Sequence, residues 1–315
     1  MSYHRTVPSL FILVLFSSVI VAAQTPASAT RYFQHGITNF ERGDLDGALE
    51  DYTRAIEISS RLSPTRTSQS RLLSNGFDSA AADRITVVDP FTARAYTNRG
   101  IVLYRKGDLD GAISDLDQAL RISDGLAEAH LARGVARRAK GDTKGARADF
   151  DRALLINSHL SEAYIDRADL LLSEGNVDEA IADLNRALTL KPRFTETYYV
   201  LGYARIAKHE FDEAIACFDR AVSLKPDMPG AYQGRGTAWT NKGELDRAIV
   251  DFNRALEIDP ELPEGYLNRG LVLMLQDKEA AAQKDFEQCL RLKPDLKTEL
   301  ERRIEYAKEW RRQNH

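Results

Sequence analysis

The sequence predicts an all-α chain, a helical solenoid of seven helix-turn-helix repeats closed by a C-terminal helix. Three observations carry this. Ala112, Ala146, Ala180, Ala214, Ala248 and Ala282 follow one another at a single constant interval, and Ala48 belongs to the same column. A small residue recurs at Gly36, Gly100, Gly134, Ala168, Gly202, Gly236 and Gly270, and another column holds Ala55, Ala119, Ala153, Ala187, Ala221, Ala255 and Cys289. Small residues at fixed helical spacing let two helices approach closely, while larger neighbours fill the space between hairpins.

The elements follow in order. Residues 1–23 read as a signal peptide: a polar start with His4 and Arg5, an apolar run from Leu10 to Val21, then Ala22-Ala23 before Gln24. The run is shorter than the roughly 18 to 20 residues that span a bilayer, which favours cleavage near Ala23 over a retained anchor. The expectation is therefore a periplasmic or secreted protein. Repeat one covers 29–60. An insertion at 61–92 pushes Ala112 away from the place that the column's regular interval after Ala48 would give it. The inserted span is polar and rich in loop formers, with a short helix near Ser79 to Ile85. Repeats two to seven then run without a break over 93–126, 127–160, 161–194, 195–228, 229–262 and 263–296.

Within each repeat the punctuation is regular. Gly43, Gly107, Gly141, Gly175 and Gly243 suit the left-handed residue that ends a first helix, and Asp44, Asp108 and Asp142 cap the second. Pro90, Pro192, Pro226, Pro260 and Pro294 mark the exit from a second helix. Residues 297–315 place Leu300, Ile304, Ala307 and Trp310 on one face, as a helix covering the end of the last repeat would.

These columns resemble the tetratricopeptide-repeat family, whose unit of about 34 residues is a helical hairpin with small residues at these positions. The resemblance implies a right-handed solenoid with a concave groove lined by first helices, and it names no partner. The residues that it places toward the groove are Phe33, Ile37, Phe40, Ile101, Tyr104, Leu131, Val135, Ile165, Leu172, Tyr199, Tyr203, Ile206, Leu267, Leu271 and Met274. Such a strip suits an extended peptide or an amphipathic helix of a protein partner; the alternative is that individual members pack between repeats. One branch of the family grips a peptide's terminal carboxylate with Lys and Asn side chains. Ile37, Ile101, Val135 and Asp169 stand where that grip needs Asn, which argues against it here.

Arg99, Arg133, Arg167, Arg235 and Arg269 occupy a first-helix column where the family usually has an aliphatic residue. Asp115, Asp149, Asp183, Asp251 and Asp285 follow at one fixed offset, in the second half of the same repeats. The fifth repeat replaces both members together, by Leu201 and Cys217, and the first offers His35 and Asp51. This covariation predicts an ion pair inside each hairpin, a structural role that fits carboxylates recurring once per repeat better than catalysis does.

The remaining chemistry is sparse. Lys and Arg number 43 against 47 Asp and Glu, a net charge of -4 with no footprint of a nucleic-acid binder. The six histidines fall in unrelated columns, so no metal or other cofactor is expected, and no phosphate loop or nucleophile elbow is present. Repeat three gathers Arg133, Arg137, Arg138, Lys140, Lys144 and Arg147, a cluster for an acidic partner or a solvated surface. Cys217 and Cys289 read as small packing residues. The expected function is a non-catalytic interaction scaffold in a bacterial cell envelope, the absence of glycosylation motifs leaning that way; self-association into a homo-oligomer is the alternative.

Overall fold

The computed structural model describes residues 27–62 and 90–314, and the signal segment and most of the insertion lie outside them. Among the described residues all regular structure is helical. The helices are α1 (Ala27–Glu41), α2 (Leu45–Leu62), α3 (Pro90–Arg105), α4 (Leu109–Ile122), α5 (Ala127–Ala139), α6 (Thr143–Ile156), α7 (Ser161–Ser173) and α8 (Val177–Leu190). They continue with α9 (Thr195–Ala207), α10 (Phe211–Leu224), α11 (Pro229–Asn241), α12 (Leu245–Ile258), α13 (Pro263–Leu275), α14 (Glu279–Leu292) and α15 (Lys297–Asn314).

The chain forms two compact units, one up to Leu170 and one from Leu171. In the first, α1 packs on α2, α3 on α4 and α5 on α6, and α2 and α4 each pack on the first helix that follows. The second repeats this scheme with α9 on α10, α11 on α12 and α13 on α14, and α15 lies against α13.

Local chemistry explains the hairpins. Gly43, Gly107, Gly141, Gly175 and Gly243 all have φ between +81° and +85°, the left-handed conformation expected of them. In the second hairpin the Gly107 amide donates to Tyr104 O and the Asp108 amide to Leu103 O, which satisfies carbonyls that the ending helix leaves open. Asp44, Asp108 and Asp142 then accept from the amides of Gly47, Gly111 and Gly145, each at 2.9 Å. The amide donor is glycine because a Cβ on Gly145 would stand 2.1 Å from the Asp142 carboxylate.

The proline expectation needs one correction. Pro192, Pro226 and Pro260 fall between helices, whereas Pro90 opens α3. Its missing amide costs nothing at a first helical position, and Pro229 and Pro263 stand in the same place in their helices.

Within each unit the core runs between the two helices of a hairpin. Tyr52, Leu116, Phe150, Phe218, Phe252 and Phe286 project from second helices onto the small-residue column of the first. Phe218 sits between two glycines, Gly202 of its own hairpin and Gly234 of the next; a Cβ on either would come within 2.6 Å of its ring. Leu300 and Ala307 of α15 are buried with Leu267, Leu271, Met274 and Phe286, as an end-covering helix requires. Arg311 fastens its far end, donating to Asp277 Oδ1 (2.8 Å), Glu279 Oε1 (3.0 Å) and Met274 O (3.2 Å). No described helix is long and apolar enough to cross a membrane.

Candidate partner-binding face

The expected groove strip divides by burial. Phe33, Ile37, Ile101, Val135 and Ile165 in the first unit and Ile206, Leu267, Leu271 and Met274 in the second are buried in the core. These nine offer a partner almost no surface, a correction to the sequence reading. The apolar columns on a first helix serve both the groove edge and the contact with neighbouring helices, and tight stacking consumes most of their surface. Phe33, for example, packs against Tyr52 and Phe91 at centroid distances of 5.6 and 5.3 Å.

The six that keep exposed surface are Phe40, Tyr104, Leu131, Leu172, Tyr199 and Tyr203. In the first unit Tyr104 and Leu131 pack on the cluster of Val135, Phe150 and Leu170, and burial raises the Tyr104 phenol above its ordinary value. Phe40 lies under the Arg105 guanidinium at 5.5 Å. In the second unit Tyr199 and Tyr203 meet edge to face at 5.1 Å, and both rings stand on Phe218 at 6.3 and 5.2 Å. Such contacts fix ring orientation while leaving part of each tyrosine outward.

Repeat alignment missed polar members of the same face. Arg138 on α5 donates to Asp169 (2.5 Å) and Asp166 (3.4 Å) on α7, joining successive first helices. These partners stand at unequal offsets from Arg138 and match no recurring column pair, so aligning the repeats does not expose them.

The ion pairs predicted inside the hairpins of Arg99, Arg133, Arg235 and Arg269 are present. Arg99, Arg235 and Arg269 each grip the aspartate of their own hairpin through Nε and Nη2 at 2.6–2.8 Å. Arg133 does the same with Asp149, at 2.6–3.2 Å. In the first hairpin His35 Nδ1 lies 2.7 Å from Asp51. Bonds to these carboxylates lift the Arg99, Arg235 and Arg269 guanidinium groups above their ordinary value. Burial alone would raise the Asp149 carboxyl, but bonds from His130 and Arg133 and the charge of Arg137 outweigh it and hold the group below its usual range.

Each arginine also reaches backward. Nη1 donates to the second helix of the preceding hairpin: Arg99 to Thr53 (3.2 Å), Arg133 to Asp117 (2.7 Å), Arg167 to Asp151 (2.7 Å), Arg235 to Asp219 (2.6 Å) and Arg269 to Asn253 (2.7 Å). An aromatic ring one helical turn earlier flanks four of them, Tyr96, Tyr164, Tyr232 and Tyr266, at 5.3–5.7 Å. The guanidinium is thus a staple between hairpins as well as a bond within one.

An outer rung repeats beside it. Lys106 pairs with Asp46, Lys140 with Asp110, Lys208 with Asp178 at 2.8 Å and Lys242 with Asp212, and Gln276 donates to Asp246. Contacts of this kind also engage four of the six members of the basic cluster of repeat three. Arg133, Arg137, Arg138 and Lys140 spend their charge on Asp149, Asp117, Asp142, Asp169, Asp166 and Asp110.

The burial of Cys217 and Cys289 pushes both thiols up to about 11, consistent with packing residues.

Comparison with known proteins agrees with this architecture. No curated protein matches the chain in sequence. A tetratricopeptide repeat protein from Parabacteroides merdae is 19% identical with a TM-score of 0.60, covering 90% of this chain and 99% of its own. Pseudomonas aeruginosa pilF is 20% identical (TM-score 0.57, 64% and 92% covered), and a chain of the APC/C hetero-tetramer Cut9–Hcn1 is 16% identical (TM-score 0.62, 86% and 54% covered). At these identities the likeness is one of fold. Family models described as tetratricopeptide repeat match residues 71–127, 131–193, 171–234 and 263–296, and one described as TPR repeat matches 236–277. The match beginning at 71 takes in part of the span that the sequence reading assigns to an insertion. With repeat models following one another along most of the chain and hairpins of the matching form beneath them, the protein belongs to the tetratricopeptide-repeat family.

Proposed function

We propose that this chain is an exported, non-catalytic scaffold that holds an extended or helical segment of a partner protein on the groove face of its first helices, in a bacterial cell envelope. Tetratricopeptide repeats serve generally as protein-interaction scaffolds. The observation that carries the reading is the Tyr199–Tyr203 pair. Both tyrosines are held in fixed orientation on Phe218, yet both keep outward surface on a first helix, as aromatic anchors at an interface do. The reading as a scaffold is further supported by arginines that recur in five of the seven hairpins and are engaged in holding successive hairpins together. Export rests on the polar start, apolar run and small residues of positions 1–23.

The test is crosslinking with mass spectrometry on the native protein in fractionated cells, comparing wild type with a Tyr199→Ala/Tyr203→Ala variant that retains its helical content. A partner captured in the envelope fraction by wild type, lost by the variant, and reproduced as a direct complex from purified components supports the proposal. Equal capture by the variant places the contact elsewhere. Recovery in the cytosol alone overturns the export reading.

A further inference from the structure

Five of the six joints between successive hairpins in the described residues carry an arginine staple, and one does not. Between α8 and α9, Leu201 stands in the arginine column, Cys217 replaces the aspartate, and Asn185 occupies the backward acceptor column. Leu201 is buried, and Cys217 is half-buried with its thiol raised by that burial. A polar contact that spans this joint lies at its rim, where Lys208, which also meets Glu210 of its own hairpin at 3.3 Å, reaches Asp178 at 2.8 Å. That pair is of the solvent-exposed kind, which contributes little.

The two kinds of joint differ in direction more than in strength. A guanidinium with Nε and Nη2 on one helix's carboxylate and Nη1 on another's acceptor fixes distance, angle and register together. Leu201 offers apolar burial in the guanidinium's place, and burial is non-directional and tolerates small rotation and sliding. We infer that the α8/α9 joint is the point at which this array opens first, a built-in flexible seam placed immediately beside the Tyr199–Tyr203 face. The staples on the following two joints, Arg235 to Asp219 and Arg269 to Asn253, keep the rest of the second unit in register while the seam moves.

Hydrogen exchange on the full chain tests this. Amides of α8 and α9 are expected to exchange at least about tenfold faster than those of α10 and α11, the factor that one charge-assisted hydrogen bond is worth. A repaired variant, Asn185→Asp/Leu201→Arg/Cys217→Asp, should slow exchange at α8 and α9 to the level of the stapled joint. The reciprocal variant, Asp219→Asn/Arg235→Leu/Asp251→Cys, copies the gap into the α10/α11 joint and should speed exchange there; it decides the matter if the repaired chain does not fold. Protection of α9 in wild type equal to that of α11, or a transferred gap that leaves exchange at α10/α11 unchanged, overturns the inference.

Discussion

Arg133 and Asp117 lie on successive hairpins with Nη1 2.7 Å from Oδ1, while the same guanidinium holds Asp149 of its own hairpin at 2.6 Å. One side chain on α5 thereby binds α4 and α6 at once. The helix-to-helix register is set by a planar group whose donors are fixed relative to one another, on top of the apolar packing that supplies most of the stability.

The equivalent bond in the last hairpin gives the first prediction. Arg269→Leu removes the donors while Asp285 stays buried, and should destabilise the protein by about 3–5 kcal/mol, the cost of an uncompensated buried charge. Arg269→Leu/Asp285→Cys, which copies the pair found at Leu201 and Cys217, should recover most of that loss. Urea denaturation of the two variants against wild type measures both, and equal destabilisation by the single and double variants would disprove the pairing argument.

A second prediction concerns packing around Phe218. Gly234→Ala would put a Cβ 2.4 Å from its ring, so the phenylalanine or the helix must shift, at about 1–3 kcal/mol. Gly125→Ala meets nothing within 4 Å and serves as the control, with a thermal midpoint close to wild type.

Acid should act through Asp149. Its folded carboxyl titrates below the ordinary value, so the unfolded chain binds protons more readily as pH falls. The stabilisation it contributes is complete above the unfolded carboxylate's pKa of about 3.9 and disappears as pH drops through the lower folded value. A melting series from neutral pH to the acid limit should show a steeper acid loss for wild type than for Asp149→Asn, the variant being less stable at neutral pH. Parallel acid limbs would remove Asp149 from the account.

His209 stands at φ 61° where five other hairpins have glycine and the last has Asp277. His209→Gly should relieve part of the roughly 1–2 kcal/mol left-handed cost of a side chain, offset by the greater freedom of glycine in the unfolded chain. A small rise in melting temperature is expected, and a fall would mean that the His209–Phe211 ring contact at 5.8 Å contributes more than the strain.

Deleting 297–315 uncovers Leu267, Leu271 and Phe286 and should lower both solubility and melting temperature, and Leu300→Ala in the full chain should cost about 2–5 kcal/mol. Unchanged melting and solubility of the truncated chain would refute the covering role.

The hairpins were legible because their determinants recur: small residues in fixed columns, a left-handed glycine after most first helices and an aspartate to cap several of the second. The arginine–aspartate bond was legible because repeat five changes both partners together. Its backward arm was not, since the accepting column holds Thr53, Asp117, Asp151, Asp219 and Asn253, which share an acceptor oxygen and no single charge or size. The binding face was read too broadly for a related reason. Val135 and Tyr104 occupy similar apolar first-helix positions, yet only the three-dimensional stack decides that Val135 is enclosed and Tyr104 keeps an edge outward.

Because Arg133, Arg235 and Arg269 each find their two acceptors at equal distances along the chain, one behind and one ahead, any hairpin carrying all three positions is compatible with a copy of itself. Duplicating or excising one repeat-length segment inside a stapled stretch regenerates the same bonds at the new junction, so the number of hairpins is free to change in inheritance without redesign of their contacts. Leu201, Cys217 and Asn185 break that interchangeability: a crossover there joins unlike partners, and the array's length is expected to vary among descendants on either side of this junction rather than across it.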